Sequence, residues 1–344
     1  MDKLERIILA HGGGGVLMRE LIGEVVARPL ANEVLGEMAD SAVLDLGSEA
    51  AAGQAGVRIA FTTDSYVVQP LFFRGGDIGR LAVAGTVNDL AVVGAKPVAL
   101  SLAFILEEGF PIADLRRIVA SIRATADEAG VRIVTGDTKV VGSGQADGVF
   151  INTSGVGVVP AGLALGASRI RPGDVVLING GIAEHGVAIM SEREGLAFET
   201  PVVSDVAPLA DLIAASIAAG EVHFMRDATR GGLAAVLNEF ALDSELSIML
   251  EESSLPVNAA VRGACALLGY DVLSVANEGK MVFVCSPDCA DRLLQTLRAH
   301  PLGREAAIIG EVGVKAAGRV LLHTSVGGTR FVDMPYGEQL PRIC

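Results

Sequence analysis

The chain consists of two successive series of strand-like and helix-like segments, separated by one polar turn. In the first series, residues 77–93 and 112–129 carry apolar side chains at helical spacing and are closed by Pro97 and Gly130. The strand-like runs of this series are β-branched or apolar, are bounded by Gly, Pro or Asp, and lie at 57–63, 97–106, 131–135 and 149–159. This alternation predicts a mixed α/β or α+β domain.

A second alternation follows the polar turn RIRPGD at 169–174. Because the chain has 344 residues, two domains are expected, each with its own core. We place them at 1–165 and 166–333, followed by a mobile, extended tail at 334–344 (MPYGEQLPRIC) that has two prolines and no periodicity. The second series predicts strands at 175–179, 246–250, near 272, near 281, 306–314 and 319–323, and helices from 182, at 207–219, at 229–240 and from 287.

Charge and hydropathy exclude several classes of protein. A formal net charge of -14 argues against nucleic-acid and anionic-membrane binding, which rest on clustered Lys and Arg. The longest uncharged run, residues 148–168, contains Asn152, Pro160 and five glycines, so we expect broken strands rather than a membrane-spanning helix. The apolar run at 7–10 is too short for a signal peptide, and a cytoplasmic protein is expected.

A run of four glycines, Gly12, Gly13, Gly14 and Gly15, lies between a short apolar segment and an amphipathic, helix-like stretch at Val16 to Ala27. Consecutive glycines allow backbone N–H groups to approach an anion closely, although a flexible linker has the same composition. The chain contains neither G-x-G-x-x-G at this position nor a Walker motif anywhere, so a Rossmann or P-loop site is not supported.

Four aspartates interrupt apolar surroundings, and a carboxylate in such a run costs free energy unless it is paired, capped or metal-bound. Mg²⁺ bound to a nucleotide triphosphate would offset that cost because Mg²⁺ prefers oxygen ligands. Each aspartate alone could be a helix cap or turn residue, but together they indicate a metal-nucleotide site. They are Asp64 in TTDSYVV, Asp89 in TVNDLAVV, Asp137 in TGDTKVV and Asp227 in RDATRGG.

Further polar residues lie within or beside these motifs. Lys139 follows Asp137 by two residues, and Glu278 lies in ANEGK; both suit proton transfer or charge stabilisation. Asn152 and Asn277 offer neutral donors and oxygens suited to a phosphate or a metal-bound water, or to ordinary capping.

Cys344 is the last residue of the chain. Its position excludes the C-a-a-X order that prenylation requires. An exposed terminal thiol is either inert or has a chemical role, and in the second case we expect a carrier thiol on a swinging arm.

These motifs, in this order, resemble the carbamoyl dehydratases of [NiFe]-hydrogenase maturation, the HypE family. NDLAVVGAKP and DATRGG are shared more widely with aminoimidazole ribonucleotide synthetase, selenophosphate synthetase and thiamine monophosphate kinase, whereas the terminal PRIC separates this chain from them. The resemblance covers essentially the whole chain and rests on HGGGG, TTDSYVVQPLFFRGGDIGRLAVAGTVNDLAVVGAKP, SLAFILEEGF, TGDTKVV, RDATRGG, ANEGK and PRIC.

The resemblance implies a two-domain α+β fold of the aminoimidazole ribonucleotide synthetase type. Its N-terminal domains would pair into a homodimer, with an ATP site partly across that interface. A separate carbamoyltransferase would load Cys344, ATP-dependent dehydration would convert the thiocarbamate to a thiocyanate, and cyanide would pass to iron on a hydrogenase maturation scaffold complex. Whether the tail acts on its own subunit or its neighbour stays open.

For this reaction we expect a set of residues with distinct roles. The aspartates Asp64, Asp89, Asp137 and Asp227 would hold Mg²⁺ and ATP with Asn152, and Gly12 to Gly15 would cover the phosphates. Lys139 and Glu278 would handle proton transfer or charge, with Asn277 orienting one of them. Two alternatives remain: a small-molecule kinase or synthetase with an incidental Cys344, and a non-enzymatic assembly scaffold.

Overall fold

The first domain is built on a five-stranded sheet. The computed structural model describes residues 6–46, 57–195, 201–314, 318–337, 340 and 342–344. The strands of this domain are β1 (Ala42–Asp45), β2 (Arg58–Tyr66), β3 (Phe72–Phe73), β4 (Gly76–Asp77), β5 (Lys96–Glu107), β6 (Arg132–Val141) and β7 (Val149–Val159). The sheet has the order β1-β2-β7-β5-β6, with β5 and β6 parallel and the other pairs antiparallel, while β3 and β4 form a separate hairpin.

Two helices cover one face of this sheet, and a short helix precedes it: α1 (Val16–Leu21), α2 (Ile78–Val92) and α3 (Ile112–Glu128). Asp77 starts α2 by accepting the N–H groups of Gly79 and Arg80 at 2.8 and 2.9 Å. A Cβ at Gly85 would lie 2.4 Å from the Tyr66 hydroxyl, so glycine lets α2 approach β2 closely. Helix α2 is buried nearly all round and therefore forms the centre of the first domain.

The opposite face of the sheet, which we call the outer face, carries Phe61, Ile105, Val156 and Val158, each 37–44% exposed. Side chains alternate between faces along a strand, and directly paired residues share a face. The register Ser65–Asn152–Ala103–Asp137 therefore forms one row of the outer face, whereas Asp64 and Thr153 point toward α2. A large apolar surface remains uncovered in the single chain.

The second domain contains a seven-stranded sheet between two layers of helices. Its strands are β8 (Val175–Ile178), β9 (Val222–Asp227), β10 (Ile248–Glu251), β11 (Met281–Cys285), β12 (Ala307–Val312), β13 (Val320–His323) and β14 (Thr329–Phe331). They lie side by side in the order β14-β13-β10-β12-β8-β11-β9. The helices are α4 (Glu184–Arg193), α5 (Ala210–Ala219), α6 (Gly232–Ser244), α7 (Ala259–Leu268) and α8 (Pro287–Ala299).

Three helices of the second domain pack on its sheet, whereas α4 and α7 pack in one apolar cluster with the core of the first domain. Helix α6 packs with Phe240 and Leu237 against one face, while α5 and α8 pack against the other face. Ala91 and Val92, at the end of α2, pack in the same apolar cluster as α5 and α8, so the two domains share buried surface at α2.

Most predicted segments are confirmed within a few residues, and the predicted α+β fold class is confirmed. The strand predicted near residue 272 is wrong: Val272–Ser274 is a 3₁₀ turn, because the Asp271 side chain accepts the Leu273 N–H at 3.0 Å. The amphipathic stretch at Val16 to Ala27 is α1 followed by a π-helical turn at Ile22–Ala27. Neither β9 nor α7 was predicted. In the described part of the chain, no helix is long and apolar enough to span a bilayer.

Candidate active site between the two domains

Three of the predicted aspartates converge where α2 meets the second domain. Asp64 points inward from β2, Asp89 lies on α2, and Asp227 ends β9. Burial raises the pKa of all three carboxyls; that of Asp89 is raised well above its usual value, with Asp227 as the next cause, and that of Asp227 rises to about 7. Three carboxylates that repel each other in a buried site favour the binding of a cation, because the cation offsets their repulsion.

Sequence reasoning missed a fourth carboxylate and two arginines of this cluster. Asp40 raises the pKa of both Asp89 and Asp227 by charge repulsion. Arg226 binds Asp40 at 3.1 Å and Glu239 at 3.0 Å. Arg230 lowers the pKa of Asp64 by its positive charge. The two arginines flank the aspartate in the RDATRGG motif, so that motif carried the signal for them.

The donor set fits Mg²⁺ bound together with phosphates. Among the described His, Cys, Asp and Glu side chains, no group of three could hold a metal ion alone. Mg²⁺ is usually held by one or two carboxylates plus substrate phosphates, and the buried carboxylates supply the hard oxygens that such an ion prefers. Asp64, Asp89, Asp227 and Asp40 would hold the ion.

The glycine run forms a wall of a cavity beside these carboxylates. Because a Cβ at Gly14 would lie 2.7 Å from the Arg230 Cβ, and one at Gly15 would lie 2.1 Å from the Pro335 carbonyl oxygen, only glycine allows this packing. The cavity has a volume of about 430 Å³ and opens between Gly14, Gly15, residues 38–40, Asp227 and α6. Its volume is in the range of small-molecule sites.

Glu278 lies on the other side of Arg230 and is 4% exposed. Its Oε1 finds no hydrogen-bond partner among the described residues. Burial, followed by the charge of Asp205, raises the pKa of Glu278 well above its usual value, while Arg230 opposes this shift. A buried carboxyl with a raised pKa and a free oxygen is suited to proton transfer.

The turn that carries Glu278 is held by bonds to its neighbours. Asn277 accepts the Ala183 N–H at 2.7 Å and donates to the Ala228 carbonyl at 2.7 Å. Its amide therefore links this turn to the RDATRGG segment. Asp205 accepts the Glu278 N–H at 3.1 Å and also binds Lys280 at 3.1 Å.

The end of the chain is docked at the same place. Leu340 and Ile343 are buried, and the backbone oxygen of Cys344 accepts the Val67 N–H at 3.0 Å. The charge of Cys344 is the largest cause that raises the pKa of Arg230. In this structure, Cys344 therefore lies in the site of its own chain.

Asp137, Lys139 and Asn152 are not part of this cluster. They lie on the outer face of the first sheet, where Lys139 Nζ binds Asp137 Oδ2 at 2.7 Å and both side chains are more than 60% exposed. Asn152 donates to the hydroxyl oxygen of Ser65 at 3.0 Å on the same face. Within one chain, the structure separates Asp137 from the three aspartates with which it was predicted to bind a metal, because its strand points it to the other face.

Comparisons with known proteins identify the family of this chain. The model of the AIR synthase related protein N-terminal domain matches residues 38–159, and that of the C-terminal domain matches residues 171–323. Carbamoyl dehydratase HypE of Azotobacter vinelandii is 53% identical over 337 residues, which cover 98% of this chain and 96% of the relative. This chain belongs to the HypE family of carbamoyl dehydratases.

Other similar proteins belong to the same family, and one more distant structure shares its fold. HypE of Escherichia coli K12 is 48% identical, with 99% of this chain and 100% of the relative covered. A HypE solved in complex with ATP superposes with a TM-score of 0.81 at 44% identity, covering 98% of this chain and 100% of that chain. A HypE solved in complex with HypF superposes with a TM-score of 0.85 at 48% identity, covering 92% and 99%. A ThiL structure with AMPPCP and TMP, at 17% identity and a TM-score of 0.67, shares the fold.

Proposed function

We propose that this chain is an ATP-dependent carbamoyl dehydratase whose carrier is Cys344. The observation that carries this proposal is the docked end of the chain: Leu340 and Ile343 are buried, and the charge of Cys344 acts on Arg230, which lines the cavity beside Gly14 and Gly15. The charge of Arg230 also acts on the Glu278 carboxyl, so the end of the chain, this carboxyl and the cavity are arranged around one guanidinium. That HypE relatives are named as carbamoyl dehydratases supports the same reaction.

The residues explain how an amide can lose water. The oxygen of the S-carboxamide on Cys344 attacks the γ-phosphorus of ATP, ADP leaves, and the poor leaving oxygen becomes a phosphate. The two N–H protons then depart as the C–O bond breaks, leaving S–C≡N and inorganic phosphate. Glu278 would accept one of these protons, and Arg230 would stabilise negative charge on the transferred phosphoryl group.

Mg²⁺ would neutralise charge on the phosphates when bound. Asp64, Asp89 and Asp227 are placed to hold it, with Asp40 as a further oxygen donor. Gly14 and Gly15 would bring backbone N–H groups to the phosphates without the obstruction of a side chain.

A homodimer completes the proposed site. The outer face of the first sheet exposes Phe61, Ile105, Val156 and Val158, and its edge strand β6 is open to solvent, so a second copy is the simplest partner. The same face carries Asp137, Lys139 and Asn152. Pairing two outer faces would deliver Lys139 and Asp137 of one copy toward the cavity of the other, which accounts for their separation within one chain.

Two further partners follow from the reaction. A carbamoyltransferase must load Cys344, and HypF, which forms a complex with a HypE, is the partner of that kind. An iron-carrying hydrogenase maturation scaffold complex must then accept the cyanide.

The intact mass of the C-terminal peptide tests the function. After carbamoyl loading, Mg-ATP should remove the mass of one water from Cys344, and Cys344→Ala should bind ATP but carry no carbamoyl group. A loaded cysteine that keeps its mass while ATP is consumed would contradict the proposal and favour a soluble acceptor.

A further inference from the structure

We propose that the body of the chain recognises the residues before Cys344 through a latch that positions the thiol in its own site. The latch consists of Asp147, Gln69, His185 and Arg193 on the body, with Arg342 and the Ile343 carbonyl on the tail. This inference rests on the proposed carrier function and adds residues that position the carrier.

The first part of the latch binds the Arg342 guanidinium. Its Nη1 lies 2.6 Å from Asp147 Oδ2 and 2.8 Å from Gln69 Oε1, and its Nε donates to the Val67 carbonyl at 3.1 Å. A carboxylate oxygen, an amide oxygen and a backbone oxygen therefore surround one planar guanidinium group. Such a set of acceptors selects arginine over lysine, whose ammonium lacks this planar group.

The second part binds the tail backbone. His185 is fully buried, and its Nε2 lies 2.7 Å from the Ile343 carbonyl oxygen, so this nitrogen must carry the proton. Its Nδ1 then accepts the Ser204 hydroxyl at 2.8 Å, which fixes the neutral tautomer. Arg193 donates to the Arg342 carbonyl, as does the Gln69 N–H at 3.2 Å.

None of these contacts uses the thiol. The latch therefore holds the empty, carbamoylated and cyanated tail by the same groups. Arg342 has a φ of 56°, in the left-handed region that favours glycine, so its docked backbone depends on the surrounding contacts. Opening the latch frees Cys344 for loading, and closing it returns Cys344 to the site of its own chain.

The fraction of the chains in which the tail is released can be compared without catalysis, by the rate at which a bulky polymer-maleimide modifies Cys344. The other three cysteines, Cys265, Cys285 and Cys289, are buried and react slowly. Asp147→Ala should speed modification about two- to fivefold, as expected for a partly exposed ion pair, and Arg342→Ala should speed it more because it also loses the Gln69 contact. Arg342→Lys should fall between Arg342→Ala and the unaltered chain.

A double-mutant cycle decides whether these residues act together. Adding Asp147→Ala to Arg342→Ala should give no further acceleration, and Asp127→Ala, which removes a comparable surface ion pair on α3, should leave the rate unchanged. Rates that multiply in the double variant, or single variants that match the unaltered chain, would overturn the latch.

The positioning role has its own readout. Asp147→Ala leaves the tail sequence unchanged for a loading enzyme, so single-turnover loading should accelerate by the same factor as modification, while dehydration slows only by the factor by which the docked fraction falls. Loading that does not accelerate would refute positioning. If the unaltered chain dehydrates nothing, the proposed function fails, but the modification rates still measure the latch.

Discussion

Replacing Glu278 with glutamine isolates its charge because the two side chains have nearly the same shape. If Glu278 accepts a proton during dehydration, Glu278→Gln should slow that step about 10²- to 10⁴-fold while loading of Cys344 continues. Affinity for ATP should change little, since Glu278 does not line the cavity.

The same variant should be more stable than the unaltered chain. The folded-state pKa of Glu278 is raised by burial, so its protonated form is favoured in the fold. Stability is therefore present below the unfolded pKa, near 4.5, and is lost as the pH rises toward the higher folded pKa. Glutamine stays neutral. Because removing an unsatisfied buried charge is worth about 1–3 kcal/mol, the unfolding midpoint should rise by roughly 2–10 °C at pH 8.

Thermal unfolding at pH 5 and pH 8, together with peptide mass spectrometry, provides the measurements. The stability gain should be larger at pH 8 than at pH 5. A gain that is equal at both pH values would refute a buried carboxyl with a raised pKa, and normal dehydration would remove Glu278 from the mechanism. Asp291→Asn, which changes an exposed carboxylate on α8, is a matched control that should change neither property.

Three further experiments test the site. Lys139→Ala and Glu278→Gln should each be inactive, but an equal, exchanged mixture of the two variants should regain about a quarter of normal dehydration if each site uses Lys139 of the neighbouring copy, and no recovery would contradict a shared site. Gly15→Ala should weaken ATP binding measured by calorimetry, because its Cβ would collide with the Pro335 carbonyl; unchanged affinity would exclude the glycine run from the site. Because the pKa of Asp227 is about 7, Mg-ATP affinity should increase as the pH rises from 6 to 8, and Asp227→Asn should reduce this dependence.

The sequence was sufficient to predict the alternation of elements and several members of the site. A buried carboxylate needs a physical reason to be buried, which is why Asp64, Asp89 and Asp227 could be found from their apolar surroundings. The glycine run could be found because consecutive glycines let backbone N–H groups approach an anion. The surface against which it packs could not be found from the sequence. That surface is formed by residues about 215 and 320 positions away.

The division of the predicted residues between two faces could not be read from the sequence. In β7, Asn152 and Thr153 are both polar, so alternation does not decide which of them points toward α2. Only the register with β2 and the position of α2 separate them. Asp40 and Arg230 were missed for a related reason, because their importance comes from charges that are distant in sequence.

The two ends of the chain are joined in a way that affects the order of events during turnover. The N–H groups of Val16 and Leu17 bind the carbonyls of Pro335 and Tyr336 at 2.9 and 3.3 Å, directly after the glycines that wall the cavity. A tail that departs from residue 335 onward must break these two bonds or take the glycine segment with it. In the second case the wall of the cavity opens as Cys344 leaves, and spent nucleotide can be exchanged during the same excursion that exposes the thiol for its next load.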